Sequence, residues 1–210
     1  MVRRELPLGA DGFGRAYPCR VCEEDRRRGR FTRLLTESGI PPIYEPCTTG
    51  TYHDRGGDVG ALTGAETWFD LLGEVPPGFT VPYGLYLYGR SRRGKSWMAA
   101  HLAWRWITER GEPSRFIELG PHLDAIRRSY DKESIGTSTQ SLQDAFSAPF
   151  VVLDDIGAER PSPWALERTL EVVEHRLRHL LPTVYTSNLD LDVLERRMAE
   201  VDPLQSVRIA

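Results

Sequence analysis

A chain of 210 residues with 40% hydrophobic and 27% charged residues is long enough for one α/β domain plus a small appendage, and its composition is that of a globular protein. A formal net charge of −3 argues against wholesale coating of nucleic acid, although a local basic patch is compatible with it. No apolar run approaches 18 residues, no signal-peptide core follows Met1-Val2-Arg3-Arg4, and three cysteines make no disulfide framework, so the expectation is a cytoplasmic chain with no membrane partner.

Residues 1–36 carry nine arginines against five acids, a local charge of +4. Cys19-Arg20-Val21-Cys22 is half of a tetrahedral Zn²⁺ site by spacing, and Cys47 and His53 are the candidates to complete it; two free thiols are the alternative. The run EEDRRRGRFTRLL at 23–35 reads as a short charged helix with Phe31, Leu34 and Leu35 on one side, its arginines either a solvated face or a nucleic-acid contact. Gly39-Ile40-Pro41-Pro42 ends it. Residues 58–72 read as a helix carrying Val59, Leu62, Trp68, Phe69 and Leu72, and the proline-rich stretch 73–82 as a loop.

Leu85-Tyr86-Leu87-Tyr88 is an apolar and aromatic run between Gly84 and Gly89, the pattern of a buried strand. Gly89-Arg90-Ser91-Arg92-Arg93-Gly94-Lys95-Ser96 then matches the phosphate-cradling pattern G-x-x-x-x-G-K-[ST], and Trp97, Ala100, Leu102, Ala103, Trp104 and Ile107 continue as a helix up to Gly111 and Pro113. Strand, glycine-bounded loop and helix N-terminus make an anion site, because backbone N–H groups and the positive end of the helix dipole face the phosphates. Lys95, one of only two lysines with Lys132, is placed to reach the β- and γ-phosphates of ATP, and Ser96 to ligate Mg²⁺; the nucleotide-binding segment runs from Gly89 through Trp97. Arg92 and Arg93 stand where such loops often have glycine and a small residue. Their cations face a triphosphate, a nucleic acid or solvent, and a Cβ at a strained position there costs about 1 kcal/mol.

Arg115 to Leu119 reads as a second strand, and 123–130 as a helix ending near Arg127, Arg128 and Tyr130. That cationic pair beside an aromatic suits single-stranded nucleic acid or simply complements the helix dipole. The polar stretch 134–141 reads as a mobile loop. Phe150-Val151-Val152-Leu153-Asp154-Asp155 is a buried strand ending in two acids, at the carboxyl edge of a parallel sheet where open α/β folds bind ligands. Asp154 suits Mg²⁺ and Asp155 suits orientation or deprotonation of an attacking water. Ser162 and Pro163 start a long helix with a stripe of Trp164, Leu166, Leu170, Val173, Leu177 and Leu180, ended by Pro182. Thr183 to Asn188 is a further strand, with Asn188 near the carboxylates, and Asp190 caps a last helix with Leu191, Leu194 and Met198 inward.

GRSRRGKS at 89–96, VVLDDIGAER at 151–160 and PTVYTSNLD at 182–190 together resemble the AAA+ ATPases of the DnaC/DnaI helicase-loader and IstB transposition-helper group, over most of the chain from about residue 40. The resemblance implies a Walker A at 89–96, a Walker B at Asp154 and Asp155 and a sensor asparagine at Asn188. It also implies ATP-controlled binding to single-stranded DNA and to a hexameric replicative helicase, with homo-oligomerisation on ATP binding. CRVC, the arginine-rich helix and GIPPIY resemble the zinc-bearing N-terminal region of such loaders, which usually has two cysteine pairs. Family members also continue past the last helix to an arginine acting in trans; Arg208 matches the arginine shortly before it, and a fragment is therefore expected.

The reading is an α/β P-loop NTPase of AAA+ type, three-layer αβα with a parallel sheet. Residues 1–50 form a small basic, zinc-like appendage and 51–210 the ATPase domain. The catalytic set is Lys95, Asp155 and Asn188. The expected function is slow, partner-regulated ATP hydrolysis in helicase loading; the alternatives are a transposition helper and a non-hydrolysing bridging module, which Asp155 in place of the more frequent glutamate keeps open.

Overall fold

The structure is a computed structural model and describes residues 20–44, 52, 58–73, 82–130, 138–158 and 162–202. Helix α1 (Arg20–Glu37) leads through a 3-10 turn (Pro42–Tyr44) to α2 (Val59–Leu71) and strand β1 (Gly84–Tyr88). Next come α3 (Lys95–Arg105) with a terminal π turn (Trp106–Arg110), β2 (Ser114–Glu118), α4 (Leu119–Tyr130) and α5 (Ser138–Ser147). The described residues close with β3 (Phe150–Asp154), α6 (Pro163–Arg178), β4 (Thr183–Ser187) and α7 (Leu191–Val201). The four strands pair in parallel in the order β1-β4-β3-β2.

Of the two inner strands, β3 explains the layering. All five residues of β3 are buried, and alternate side chains serve opposite faces. Phe150 and Val152 join Leu34, Trp68, Phe69, Leu102 and Trp106 from α1, α2, α3 and its π turn, while Val151 and Leu153 join Leu123, Ala145, Leu166, Leu170 and Leu194 from α4 to α7. Two apolar cores with a sheet between them make the three layers expected from the sequence. Among the described residues no helix is long and apolar enough to cross a membrane.

Helix boundaries follow the capping residues. Asp58 accepts a hydrogen bond from the Ala61 amide at 3.0 Å, Ser162 from Ala165 at 3.1 Å with Pro163 at the first turn, and Asp190 from Val193 at 2.8 Å. Gly111, in the left-handed region at φ 65°, stops the π turn.

Three expectations need correction. Part of the expected polar loop, from residue 138, is helical as the start of α5, and Ala145 near its far end and Ala148 just past it are buried; residues 131–137 lie outside the described set. Along α6 the buried face is Ala165, Leu166, Thr169, Leu170, Val172 and Arg176, and Leu177 and Leu180 are exposed. The apolar letters misplaced the stripe because a threonine and an arginine occupy inward positions. Arg176 is fully buried and its guanidinium donates to Thr183 Oγ1 (2.7 Å) and to the carbonyls of Ala145, Ala148 and Pro182 (each 2.9 Å), which makes its burial tolerable. On α7, Leu194 and Met198 are buried, but Leu191 in the first turn is exposed.

Candidate functional site

The carboxyl ends of β1, β3 and β4 meet the N-terminus of α3 at one cleft of about 1530 Å³. It is lined by Gly89 and residues 91–96 of the loop, by Asp154, Asp155 and Asn188, and by the aromatic and apolar side chains of Ile43, Tyr44 and Tyr52. The sheet order brings this about: β1 and β3 flank β4, so the loop after β1, the acids ending β3 and Asn188 just past β4 converge.

The loop has the left-handed positions a phosphate cradle needs. Gly89 is at φ 137°, Arg92 at 63° and Gly94 at 83°. Gly94 is constrained a second way, because a Cβ there would lie 2.7 Å from Tyr52 Cε2. Tyr52 in turn packs on Trp97 with ring centroids 5.0 Å apart, and Trp97 stacks on His101 at 5.7 Å. Trp97 is therefore largely a buried support beneath the loop. Helix α3 begins at Lys95, so its unpaired N-terminal amides open toward the loop.

Lys95 Nζ donates to the carbonyls of Gly89 (2.9 Å) and Arg90 (3.1 Å) and to Asn188 Oδ1 (3.0 Å). Asn188 Nδ2 donates to Asp155 Oδ1 at 2.9 Å. The sequence-derived trio of Lys95, Asn188 and Asp155 is thus one hydrogen-bonded chain. Burial lowers the Lys95 pKa from its ordinary value, against the opposing pull of Asp155 and Asp154.

The two acids differ in environment. Asp154 is buried, accepts a 2.6 Å hydrogen bond from Thr186 Oγ1, and is also hydrogen-bonded by Ser96. Burial pushes its carboxyl above the usual range, with both hydroxyls pulling it back down. Asp155 is exposed and sits just past the strand at φ 61°, its amide donating to Thr186 Oγ1 at 2.9 Å. That turn aims the second acid into the cleft while the first stays in the sheet.

Ser96 and Asp154 bring a hydroxyl and a carboxylate together, a set of hard oxygen donors of the kind magnesium prefers. Cys22 is exposed on α1, whereas Cys19, Cys47 and His53 lie outside the described residues. Among the described residues no three His, Cys, Asp or Glu side chains cluster to hold a metal. Arg127 and Arg128 are exposed near the end of α4, and the Tyr130 side chain and Arg208 lie outside the described set.

Sequence reasoning missed Thr186, whose hydroxyl serves both acids, and the aromatic seat formed by Tyr52. It also missed Glu118, which ends β2, pairs in register with Asp154 and borders the cleft. The first had a signal in the Thr-Ser-Asn run; Tyr52 lies far upstream of the phosphate loop in no fixed motif and had none.

No protein-family model matches the chain. Over 113 residues it is 30% identical to the replicative helicase loader DnaI of Bacillus subtilis (strain 168), a match covering 53% of this chain and 35% of that protein's length. A crystal structure of DnaI has a TM-score of 0.58 and 27% identity, covering 73% of this chain and 79% of that one. A crystal structure of the DnaC helicase loader has a TM-score of 0.59 and 23% identity, covering 80% and 94%, and shows likeness of fold. The chain is similar to the DnaC/DnaI helicase loaders and has the α/β fold of their AAA+ P-loop domains.

Proposed function

We propose that the chain is an ATP-binding protein of DNA replication that assists loading of a hexameric replicative helicase on single-stranded DNA, with slow ATP hydrolysis regulated by its partners. The observation that carries this reading is the chain Lys95–Asn188–Asp155 at the mouth of the phosphate-loop cleft. The similarity to DnaI supports the loader reading over a transposition helper.

In this reading the triphosphate lies along the loop 89–96, held by backbone N–H groups and by the N-terminus of α3. Lys95 exchanges two neutral carbonyl partners for anionic phosphate oxygens, a gain because the acceptor then carries the opposite charge. The apolar part of the lining that Ile43 and Tyr44 supply takes the base. Ser96 and Asp154 would hold Mg²⁺, which when bound neutralises charge on the phosphate oxygens. Asp155 orients a water for in-line attack on the γ-phosphorus and accepts its proton as the bond to the ADP oxygen breaks. Asn188 fixes the Asp155 carboxylate through the 2.9 Å bond.

The nucleotide acts as a switch more than as fuel, governing self-assembly of the chain and its grip on DNA. A basic segment at 1–50 preceding an ATPase domain at 51–210 belongs to the same proposal. The test is ATP binding and turnover by the full chain, with and without single-stranded DNA, beside Lys95→Ala. Turnover that needs Lys95 and changes with DNA is the expected result; absence of ATP binding overturns the reading.

A further inference from the structure

We infer that Arg92 is a specificity-determining residue of the nucleotide site: its guanidinium supplies a second cation for the terminal phosphate of a nucleoside triphosphate. The inference rests on the nucleotide reading above and adds to it the discrimination of triphosphate from diphosphate.

Three non-glycine residues among those described have positive φ: Arg92 at 63°, Asp155 at 61° and Leu180 at 53°. Leu180 follows the end of α6, where a left-handed residue ordinarily terminates a helix. The other two border the same cleft, Arg92 on the loop and Asp155 past β3. Strained backbone persists where something else is gained, and such positions gather at ligand sites. Glycine would hold this turn without strain, yet the residue is a cation with a long side chain. The Arg92 side chain is exposed, borders the cleft, and makes no ion pair with a described carboxylate. Lys95 differs: its three hydrogen bonds tie it to the loop and to Asn188. A planar fork of N–H donors suits a phosphate dianion, and an ATP γ-phosphate presents charge that ADP lacks.

The test is calorimetric titration of the full chain with Mg-ATP, with Mg-ADP and with a single-stranded oligonucleotide, using wild type, Arg92→Gly, Arg92→Ala and Lys95→Ala, with thermal melts of each. Arg92→Gly is expected to raise Tm, to weaken ATP binding about tenfold and to leave ADP binding within about twofold. Arg92→Ala should lose the same ATP affinity without the gain in Tm, since its Cβ keeps the strain. Equal effects on ATP and ADP, or none on either, overturn the inference. So does loss of oligonucleotide binding with nucleotide affinities unchanged, which would assign Arg92 to a nucleic-acid phosphate. Wild-type binding that Lys95→Ala abolishes and Arg92→Gly leaves intact removes this inference alone, whereas a wild type that binds neither nucleotide removes the nucleotide reading with it.

Discussion

Asn188 and Asp155 are joined by a 2.9 Å hydrogen bond, and the far side of the same amide group accepts Lys95 Nζ at 3.0 Å. One neutral side chain therefore bridges the cation of the phosphate loop and the acid beyond β3. Removing it has opposite consequences for binding and for turnover. Asn188→Ala releases Lys95 from one competing partner, so nucleotide affinity is expected to stay within about threefold or to improve, while Asp155 loses its orientation and turnover falls about 10- to 100-fold. Single-turnover kinetics beside equilibrium titration separate the two effects; parallel losses in both would contradict the bridging role.

Gly94 answers to two constraints that a double mutant can separate. The clash with Tyr52 and the left-handed backbone both oppose a Cβ. Gly94→Ala is expected to cost about 2 kcal/mol of stability and to abolish nucleotide binding. In the Tyr52→Ala background the steric part disappears and about 1 kcal/mol remains from φ alone. Denaturant midpoints of the four proteins give the coupling, and additive losses would mean that the ring moves aside freely.

The fold was legible where chemistry fixes local geometry. The capping residues Ser162 and Asp190 marked two helix starts, the helix read over 58–72 begins directly after its Asp58 cap, and the apolar run ending in Asp154 marked β3 as a buried strand. The phosphate loop, Asp154, Asp155 and Asn188 were each visible as residues at strand ends. What the letters could not give was long-range satisfaction of polar groups. Arg176 looks like a surface residue until the carbonyls of Ala145 and Ala148, 31 and 28 positions away, are brought around it. Tyr52 reaches the loop from a stretch without periodicity, and the phosphate-loop motif accounts for a glycine at 94 without pointing to the tyrosine that also requires it. Helix α5 was missed because its apolar signal is small: Ala145 is buried and Phe146 partly buried among polar neighbours.

Asp154 sets function against stability. Its folded pKa is raised by burial, so its contribution to stability is fully present below the ordinary carboxylate pKa and is lost as pH rises through the raised value. Ionised Asp154 is therefore a net cost at neutral pH. Asp154→Asn is expected to raise Tm by a few degrees near pH 7, with the advantage shrinking toward about pH 4 as the wild-type acid protonates. The same variant should lose magnesium-dependent turnover. Melts across that pH range check it; a less stable Asn variant at pH 7 would show that the Thr186 and Ser96 bonds outweigh burial.

Arg176 is expected to behave as a structural keystone with no part in chemistry. Burial lowers its pKa to about 10, yet four acceptors surround it. Arg176→Leu leaves those acceptors buried without a donor and should cost about 3–5 kcal/mol. Arg176→Lys keeps the charge but cannot reproduce the fork, and should recover less than half of that loss. Chemical denaturation measures both, and a change below about 1 kcal/mol for the leucine variant would mean that water replaces the guanidinium.

The hydroxyls at the end of β4 have a consequence for motion. Thr186 Oγ1 holds both Asp154 and the amide of Asp155, the amide of Ile156 donates to the Thr186 carbonyl, and Ser187 Oγ donates to the carbonyl of Ile156 while accepting from the amide of Leu189. Residues 154–156 and 186–189 thus form a single stiff block, and Asn188 rides on it two residues before the Asp190 cap of α7. Any shift of Asn188 when Lys95 changes partners would tilt that block as a unit and carry α7 with it. The hinge of such a device would lie outside the acids, and slow amide exchange throughout the block, with faster exchange in the loop 89–94, would be its signature.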